Sequence, residues 1–262
     1  MPAFAANLSM LFTEAPFLDR FALARAAGFS FVEYLFPYDY HAEELKVQLD
    51  RHGLRQVLFN LPAGDWARGD RGIAADPGRV EEFRAGVPKA VAYALALGVK
   101  NLNALAGKRV AGADDALLRE TLAGNLKFAA RLLAEQGLRL LVEPVNHFDI
   151  PGFFLNRTGQ VLELLDQIGE PNAFLQFDVY HAQREEGELA ATLRNQLHRI
   201  GHIQIADNPG RHEPGTGEIN FPFLFAELDR LGYAGHVGLE YVPSAGTQAS
   251  LGWLRAFSKG SA

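Results

Sequence analysis

The chain has 262 residues, 48% of them hydrophobic and 21% charged, with a formal net charge of −6. That length suits one α/β barrel of about 250 residues, and the composition is that of a chain with a sizeable core. The negative charge excludes a general attraction to nucleic acid or anionic lipid, and the lack of cysteine excludes disulfides, iron–sulfur ligation and thiolate chemistry. The opening Met-Pro-Ala-Phe-Ala-Ala-Asn lacks the basic-then-apolar pattern of a secretory signal. The longest apolar run, 91–99, is far short of the about 20 residues of a membrane span. A cytoplasmic protein with neither a membrane nor a nucleic-acid partner is expected, and a homo-oligomer is compatible with this composition.

From the N-terminus, a β-like run over 4–8 precedes a helical pattern over 17–27, and a strand over 31–35 precedes a helix over 42–52. A strand over 56–61, a helix over 80–97, a strand over 99–105 and a helix over 116–136 follow. The remainder reads as strand 139–143, helix 160–168, strands 174–178 and 202–206, helix 222–231 and strand 237–241. Within 116–136, Leu118, Leu122, Leu126, Ala129 and Leu133 recur every three or four residues, which marks one buried helix face. Gly28, Gly53, Gly98, Gly137, Gly169 and Gly232 each stand just past a helical run, where a left-handed residue ends a helix. Alternating strands and helices imply a parallel sheet. Eight strands without an internal linker predict an α/β fold closed into a single (β/α)8 TIM barrel domain over 1–262. Three connections are long: 62–78, 144–157 and 207–220. All follow strand C-terminal ends, the face where barrel active sites lie.

Four polar residues stand at or near the ends of the last four strands, in Leu-Val-Glu143, Gln-Phe-Asp178, His-Ile-Gln204 and Gly-Leu-Glu240. Side chains alternate along a strand, and the intervening Val142, Phe177, Ile203 and Leu239 are apolar, as facing an outer ring of helices requires. The four polar groups therefore converge on the barrel mouth. Three carboxylates in one cavity repel unless a proton or cation compensates. An oxygen-only set of two Glu, one Asp and one amide suits one hard divalent ion, Mg²⁺ or Mn²⁺ before Zn²⁺.

Around this set, His181 lies three residues past Asp178, either as a donor to a substrate oxygen or as a surface histidine opening a loop. Arg211, in the 207–220 connection, can fork onto a substrate carboxylate. Lys108 could add a second positive charge, with a solvated lysine as the competing reading. Glu213 and His212 divide evenly between solvent and site. The run 215–220 reads as turn chemistry. Asn7 and Glu33 are expected to line the barrel in buried hydrogen bonds, and His202 to be an interior histidine without a metal. Trp66 either shields the mouth or anchors its loop. The chain has no Gly-x-Ser-x-Gly elbow, no dinucleotide or phosphate loop and no His-Glu-x-x-His.

Longer segments carry a family resemblance. They are Phe-Ala-Ala-Asn-Leu-Ser-Met-Leu-Phe (4–12), Phe-Pro-Tyr-Asp-Tyr (36–40), Asn-Leu-Pro-Ala-Gly-Asp-Trp (60–66), Glu-Pro-Val-Asn-His-Phe-Asp-Ile-Pro-Gly (143–152) and Gln-Phe-Asp-Val-Tyr-His-Ala-Gln (176–183), with the runs 202–220 and 238–241. Over essentially its full length the sequence resembles the hydroxypyruvate isomerase family, within the larger group of xylose-isomerase-like barrels. The resemblance implies that Glu143 and Glu240 are metal ligands that also form the proton donor/acceptor pair, with Asp178 and Gln204 completing the metal site. Related sugar epimerases usually carry histidine where Gln204 stands. A sister group, the 2-oxo-tetronate isomerases, shares Asn-Leu-Ser-Met (7–10) and Arg-His-Glu-Pro (211–214). Residues 146–152 and 206–210 side with hydroxypyruvate isomerase, and 12–17 with the sister group.

The expected activity is the interconversion of hydroxypyruvate and tartronate semialdehyde through an enediolate. The rival readings are a 2-oxo-tetronate isomerase, a ketose 3-epimerase and a non-catalytic sugar-acid binder. A metal-dependent abasic-site endonuclease is the reading from another class, and it would need a histidine-rich zinc cluster and a basic groove.

Overall fold

Period-two strands and period-3.6 helices alternate along the chain, and the structure, a computed structural model, places them as that alternation requires. It describes residues 2–257; Met1 and 258–262, where the expected 1–262 domain begins and ends, lie outside the described residues. The strands are β1 (Ala3–Asn7), β2 (Phe31–Glu33), β3 (Arg55–Gln56), β4 (Leu58–Asn60), β5 (Asn101–Ala104), β6 (Arg139–Val142), β7 (Ala173–Asp178), β8 (Ile200–Ile205) and β9 (His236–Leu239). They form one parallel sheet in the order β3-β2-β1-β9-β8-β7-β6-β5-β4.

The ninth strand arises from a break. The strand expected over 56–61 is interrupted at Val57, so β3 pairs with β2 while β4 pairs with β5. One passage of chain thus joins the two ends of the sheet. Across the break, Val57 N–H donates to the Val32 carbonyl and Asn60 N–H to the Leu35 carbonyl, both at 2.9 Å, which stitches the ring shut.

The helices are α1 (Arg20–Ala26), α2 (Ala42–His52), α3 (Val80–Leu97), α4 (Asp115–Ala134), α5 (Thr158–Ile168), α6 (Val179–Glu185), α7 (Leu189–Gln196), α8 (Phe221–Arg230) and α9 (Thr247–Ser250). The six expected from periodicity are present, and all six glycines expected to end them have positive φ. Helices α6, α7 and α9 were not expected. They are short, at seven, eight and four residues, and α6 opens directly on the strand end Asp178.

Two apolar layers result. Val142, Phe177, Ile203 and Leu239 face outward and join the large core between strands and helices, along with Leu118, Leu122, Leu126, Ala129 and Leu133 of α4. Inside the ring a smaller plug forms from Ala5, Val57, Leu58 and Leu141, packed by Phe31 and Phe174. One pleat further along the strands, towards the C-terminal mouth, the interior turns polar. Among the described residues no helix is long and apolar enough to cross a membrane.

The long 62–78 connection is tied to the barrel rim. Gly72 forms an antiparallel bridge with Ala106, and Ala75 N–H donates to the Ala106 carbonyl at 2.9 Å. Gly72 has φ +108°, and a Cβ there would collide with the backbone of Leu105. Gly72→Ala is expected to cost about 1–3 kcal/mol from backbone strain alone. At roughly 2–4 °C per kcal/mol for a chain of this size, thermal unfolding should show a drop of several degrees.

Candidate active site

Strand length positions the chemistry. Strand β7 ends on Asp178, β6 ends one residue before Glu143, and β9 ends one residue before Glu240. The three carboxylates are buried, and with His181 they offer ligand atoms that all lie within 4.8 Å of one another. Asp178 also caps α6: its Oδ1 accepts from Tyr180 N–H at 2.8 Å and His181 N–H at 3.4 Å. Its Oδ2 is buried and accepts no hydrogen bond. Glu143 Oε2 accepts from Asn103 Nδ2 at 3.0 Å. Glu240 Oε1 accepts from Asn7 Nδ2 at 3.3 Å, and its Oε2 from Arg211 Nη2 at 2.5 Å.

Burial dominates the electrostatics. It pushes the Glu143 carboxyl well above the usual range, with the charges of Glu240 and Asp178 adding to the effect. Burial likewise raises Asp178, against the opposing charge of Arg211. Burial pushes Glu240 up to about 8, again opposed by Arg211. Carboxylates this reluctant to ionise mark a cavity in which Arg211 alone does not balance three acids, and a bound cation would add the missing charge.

His181 is brought into the cluster, with Nε2 3.6 Å from Asp178 Oδ2. Its role follows from its neighbours. Asn146 Oδ1 accepts from Asp149 N–H at 2.9 Å and Asn146 Nδ2 donates to Asp149 Oδ2 at 3.1 Å, which fixes the direction of the amide. Asn146 Nδ2 therefore donates to His181 Nδ1, 2.6 Å away. Burial holds the imidazole pKa well below its ordinary value, helped by the Arg211 and Arg184 charges. A neutral ring that accepts at Nδ1 carries its proton on Nε2. His181 thus points an N–H, not a lone pair, at the carboxylates.

Arg211 is presented by a loop built on one carboxylate. Buried Asp207 accepts from the backbone N–H groups of Asn208, Gly215, Gly217 and Ile219 at 2.8–3.1 Å. Turn chemistry was expected over 215–220, and a Cβ on Gly217 would strike the Asn208 carbonyl. Arg211 takes φ +57°, and its carbonyl accepts from Val242 N–H at 2.8 Å. Its guanidinium lies 3.7 Å from Asp178 and over the Tyr180 ring.

The remaining expected residues are held by partners of their own. Gln204 sits opposite Asp178 across β7 and β8, but its amide is engaged: Nε2 donates to Glu33 at 2.8 Å and Oε1 accepts from Gln176 at 2.6 Å. Lys108 donates to the Gly69 carbonyl at 3.3 Å, on the 62–78 loop, and no contact brings it to the carboxylates. Glu213 accepts from the Ser244 backbone N–H at 3.0 Å and from its hydroxyl, which pins the Arg211 loop from outside the cluster. His212 caps the Val242 carbonyl at 2.8 Å. Trp66 packs on Phe36 under the Arg71 guanidinium and anchors its loop. His202 is fully buried against Glu33, as an interior histidine. Sequence reasoning missed Asn103, Asn146, Asp149, Gln176 and Asp207. The spacing of polar residues along β5 and β7 hints at Asn103 and Gln176; Asn146, Asp149 and Asp207 fall in the segments that carry the family resemblance, but no spacing rule assigns them a role.

A protein-family model described as "Xylose isomerase-like TIM barrel" matches residues 21–257. The chain belongs to that family of α/β barrels. Among curated proteins it is 53% identical to "Hydroxypyruvate isomerase" of Escherichia coli over 254 residues, covering 97% of this chain and 98% of the relative. It is 50% identical over 257 residues to "2-oxo-tetronate isomerase" of Cupriavidus necator, covering 98% and 99%. A solved structure titled "AP endonuclease, family 2 from Brucella melitensis" superposes with TM-score 0.95 at 46% identity, covering 98% and 99% of the two chains.

Two outcomes follow from this geometry. Replacing Asn146 with Ala removes the 2.6 Å amide donor and leaves only the backbone N–H at 3.4 Å on Nδ1, so ¹⁵N NMR of the ring should show an increased Nδ1–H fraction where the parent shows the Nε2–H form. A parent spectrum dominated by Nδ1–H would refute the assignment. For Glu240, a folded-state pKa of about 8 against the ordinary 4.5 means the folded state binds the extra proton between those values. That contribution to stability is complete below about pH 4.5 and is lost as pH rises through about 8. The metal-free protein should therefore melt at lower temperature as pH rises through this window, with a shallower slope in Glu240→Gln.

Proposed function

We propose that the chain is a metal-assisted isomerase that interconverts hydroxypyruvate and tartronate semialdehyde, with Glu143 and Glu240 exchanging the carbon-bound proton. The observation that carries this is the pair itself. Two glutamates meet in one buried cluster, and burial raises the proton affinity of both, as suits groups that exchange a proton. The isomerase class rests on the relatives, of which two carry isomerase names at half identity or more over nearly the whole chain.

The donor set fits a hard cation such as Mg²⁺ or Mn²⁺. Glu143, Asp178, Gln204 and Glu240 would hold it through oxygen, Asp178 Oδ2 has no hydrogen bond to give up, and Gln204 Oε1 keeps a second lone pair. Such an ion supplies Lewis acidity that makes the C–H between a carbonyl and a hydroxyl acidic. One glutamate takes the proton from C3 of hydroxypyruvate, and the C–H electrons become the double bond of a cis-enediolate. His181 Nε2–H stabilises the developing negative charge on oxygen. The other glutamate delivers a proton to C2, and transfer of a proton from O3 to O2 leaves an aldehyde at C3 and a hydroxyl at C2. Arg211 keeps Nη1 for the substrate carboxylate while Nη2 holds Glu240. Glu213 supports this by fixing the Arg211 loop, and Lys108 extends positive charge along the rim.

A second reading, 2-oxo-tetronate as substrate, is favoured by the near-equal likeness to that relative; it uses the same residues on an acid one carbon longer. Endonuclease action is disfavoured by the formal charge of −6 and by a cluster with one imidazole, itself turned donor.

Glu143→Gln and Glu240→Gln should each lower kcat by about 10²–10⁴-fold while leaving the fold intact, the range of general acid–base catalysis. Chelation should abolish turnover, and Mn²⁺ should restore it. Supplying both acids in turn settles the substrate, and solvent deuterium should enter the product at the protonated carbon. Full activity in either glutamine variant, or after exhaustive chelation, would remove the mechanism.

A further inference from the structure

Beneath the carboxylate cluster lies a buried charge that the proposed mechanism does not use. Glu33 is 1% exposed at the end of β2, inside the barrel. Its Oε1 accepts from Asn7 Nδ2 at 3.0 Å and from Gln204 Nε2 at 2.8 Å, and its Oε2 lies 2.7 Å from His202 Nε2. Space for it is made by Gly238, where a Cβ would collide with both carboxylate oxygens. Burying a carboxylate costs several kcal/mol, and a buried ion pair is commonly no more stabilising than the apolar side chains that could replace it. Stability alone therefore gives little reason for Glu33 to sit among the apolar layers of the barrel.

Its contacts point elsewhere. An amide binds a cation through oxygen only, so Gln204 serves as a ligand in one of its two flipped orientations. Glu33 selects between them: a carboxylate accepts, so the Gln204 nitrogen must face it and the oxygen must face away. Asn7 repeats the device. Its Nδ2 donates to Glu33 and also to Glu240 Oε1, which links the deep carboxylate to the one at the mouth.

We propose that Glu33 is a positioning residue that presents the Gln204 oxygen to the cation and, through Asn7, orients Glu240. This rests on the reading of the cluster as a divalent-metal site. Groups that orient ligands in this way typically change metal affinity by about 10–100-fold when removed.

The experiment is Mn²⁺ titration by calorimetry and by electron paramagnetic resonance, together with thermal unfolding with and without the ion. Glu33→Gln should weaken Mn²⁺ about 10–100-fold and shrink the rise in Tm on adding it. A purely structural role predicts a lower Tm with and without the ion and an unchanged Mn²⁺ affinity. Where Glu33→Gln fails to fold, Asn7→Ala, which breaks the link to Glu240 and leaves His202 facing Glu33, should still weaken Mn²⁺ several-fold. Mn²⁺ affinity within about twofold of the parent in the folded variants overturns the proposal and leaves the metal site standing. Failure of the parent chain itself to bind Mn²⁺, or binding that Glu143→Gln leaves unchanged, overturns both.

Discussion

Three carboxylates buried within a few ångströms of each other form a structure that repels itself, and much of the barrel mouth answers that repulsion. At about 4 Å, even with an effective dielectric near 20, two like charges cost about 4 kcal/mol. The chain meets this with donors of graded strength. Asn7 and Asn103 give neutral amide hydrogen bonds, the first turn of α6 gives backbone N–H groups, and Arg211 gives a full charge. Placing Arg211 requires the four-donor turn on Asp207 and the clasp of Glu213 on Ser244, so the 207–220 loop owes its shape to the cluster it serves.

The barrel makes such a cluster tolerable because its inside is layered. The plug of Ala5, Leu58 and Leu141 fills the N-terminal half, so polar groups gather only beyond it. Gly238 gives up its side chain where Glu33 enters, and the break at Val57 lets one chain segment serve two neighbours in the ring. Outward-facing Val142, Phe177, Ile203 and Leu239 carry the burial that offsets the polar interior.

Period explains what was legible in the sequence. Eight strand passages, six helices and the convergence of Glu143, Asp178 and Glu240 all follow from alternation along single segments, a local property. Partners across the barrel do not. Asn7 and Glu240 are 233 positions apart, Asn103 and Glu143 are 40 apart, and no spacing rule connects them. Helix α6 escaped notice because its cap is Asp178, a residue already explained as a strand-end ligand. Gln204 shows the converse. Its inward face was readable from alternation, while the partners that turn its amide came only with the third dimension.

The same asymmetry of donors bears on how two chemically identical side chains can divide one task. Glu143 rests on a neutral amide, Glu240 on a guanidinium, and burial presses on both. The charged donor favours the ionised form of Glu240 more than Asn103 favours that of Glu143, so the proton affinities of the pair are pushed apart. A cation shared by the two would lower both affinities, and of the two glutamates Glu240 is the one whose carboxylate accepts a hydrogen bond from Arg211. In the reaction proposed above, with hydroxypyruvate as substrate, this difference would order the roles, with Glu240 as the carboxylate that removes the C3 proton and Glu143 as the acid that supplies C2. In reverse the roles exchange, as they must for one site to run an isomerisation both ways.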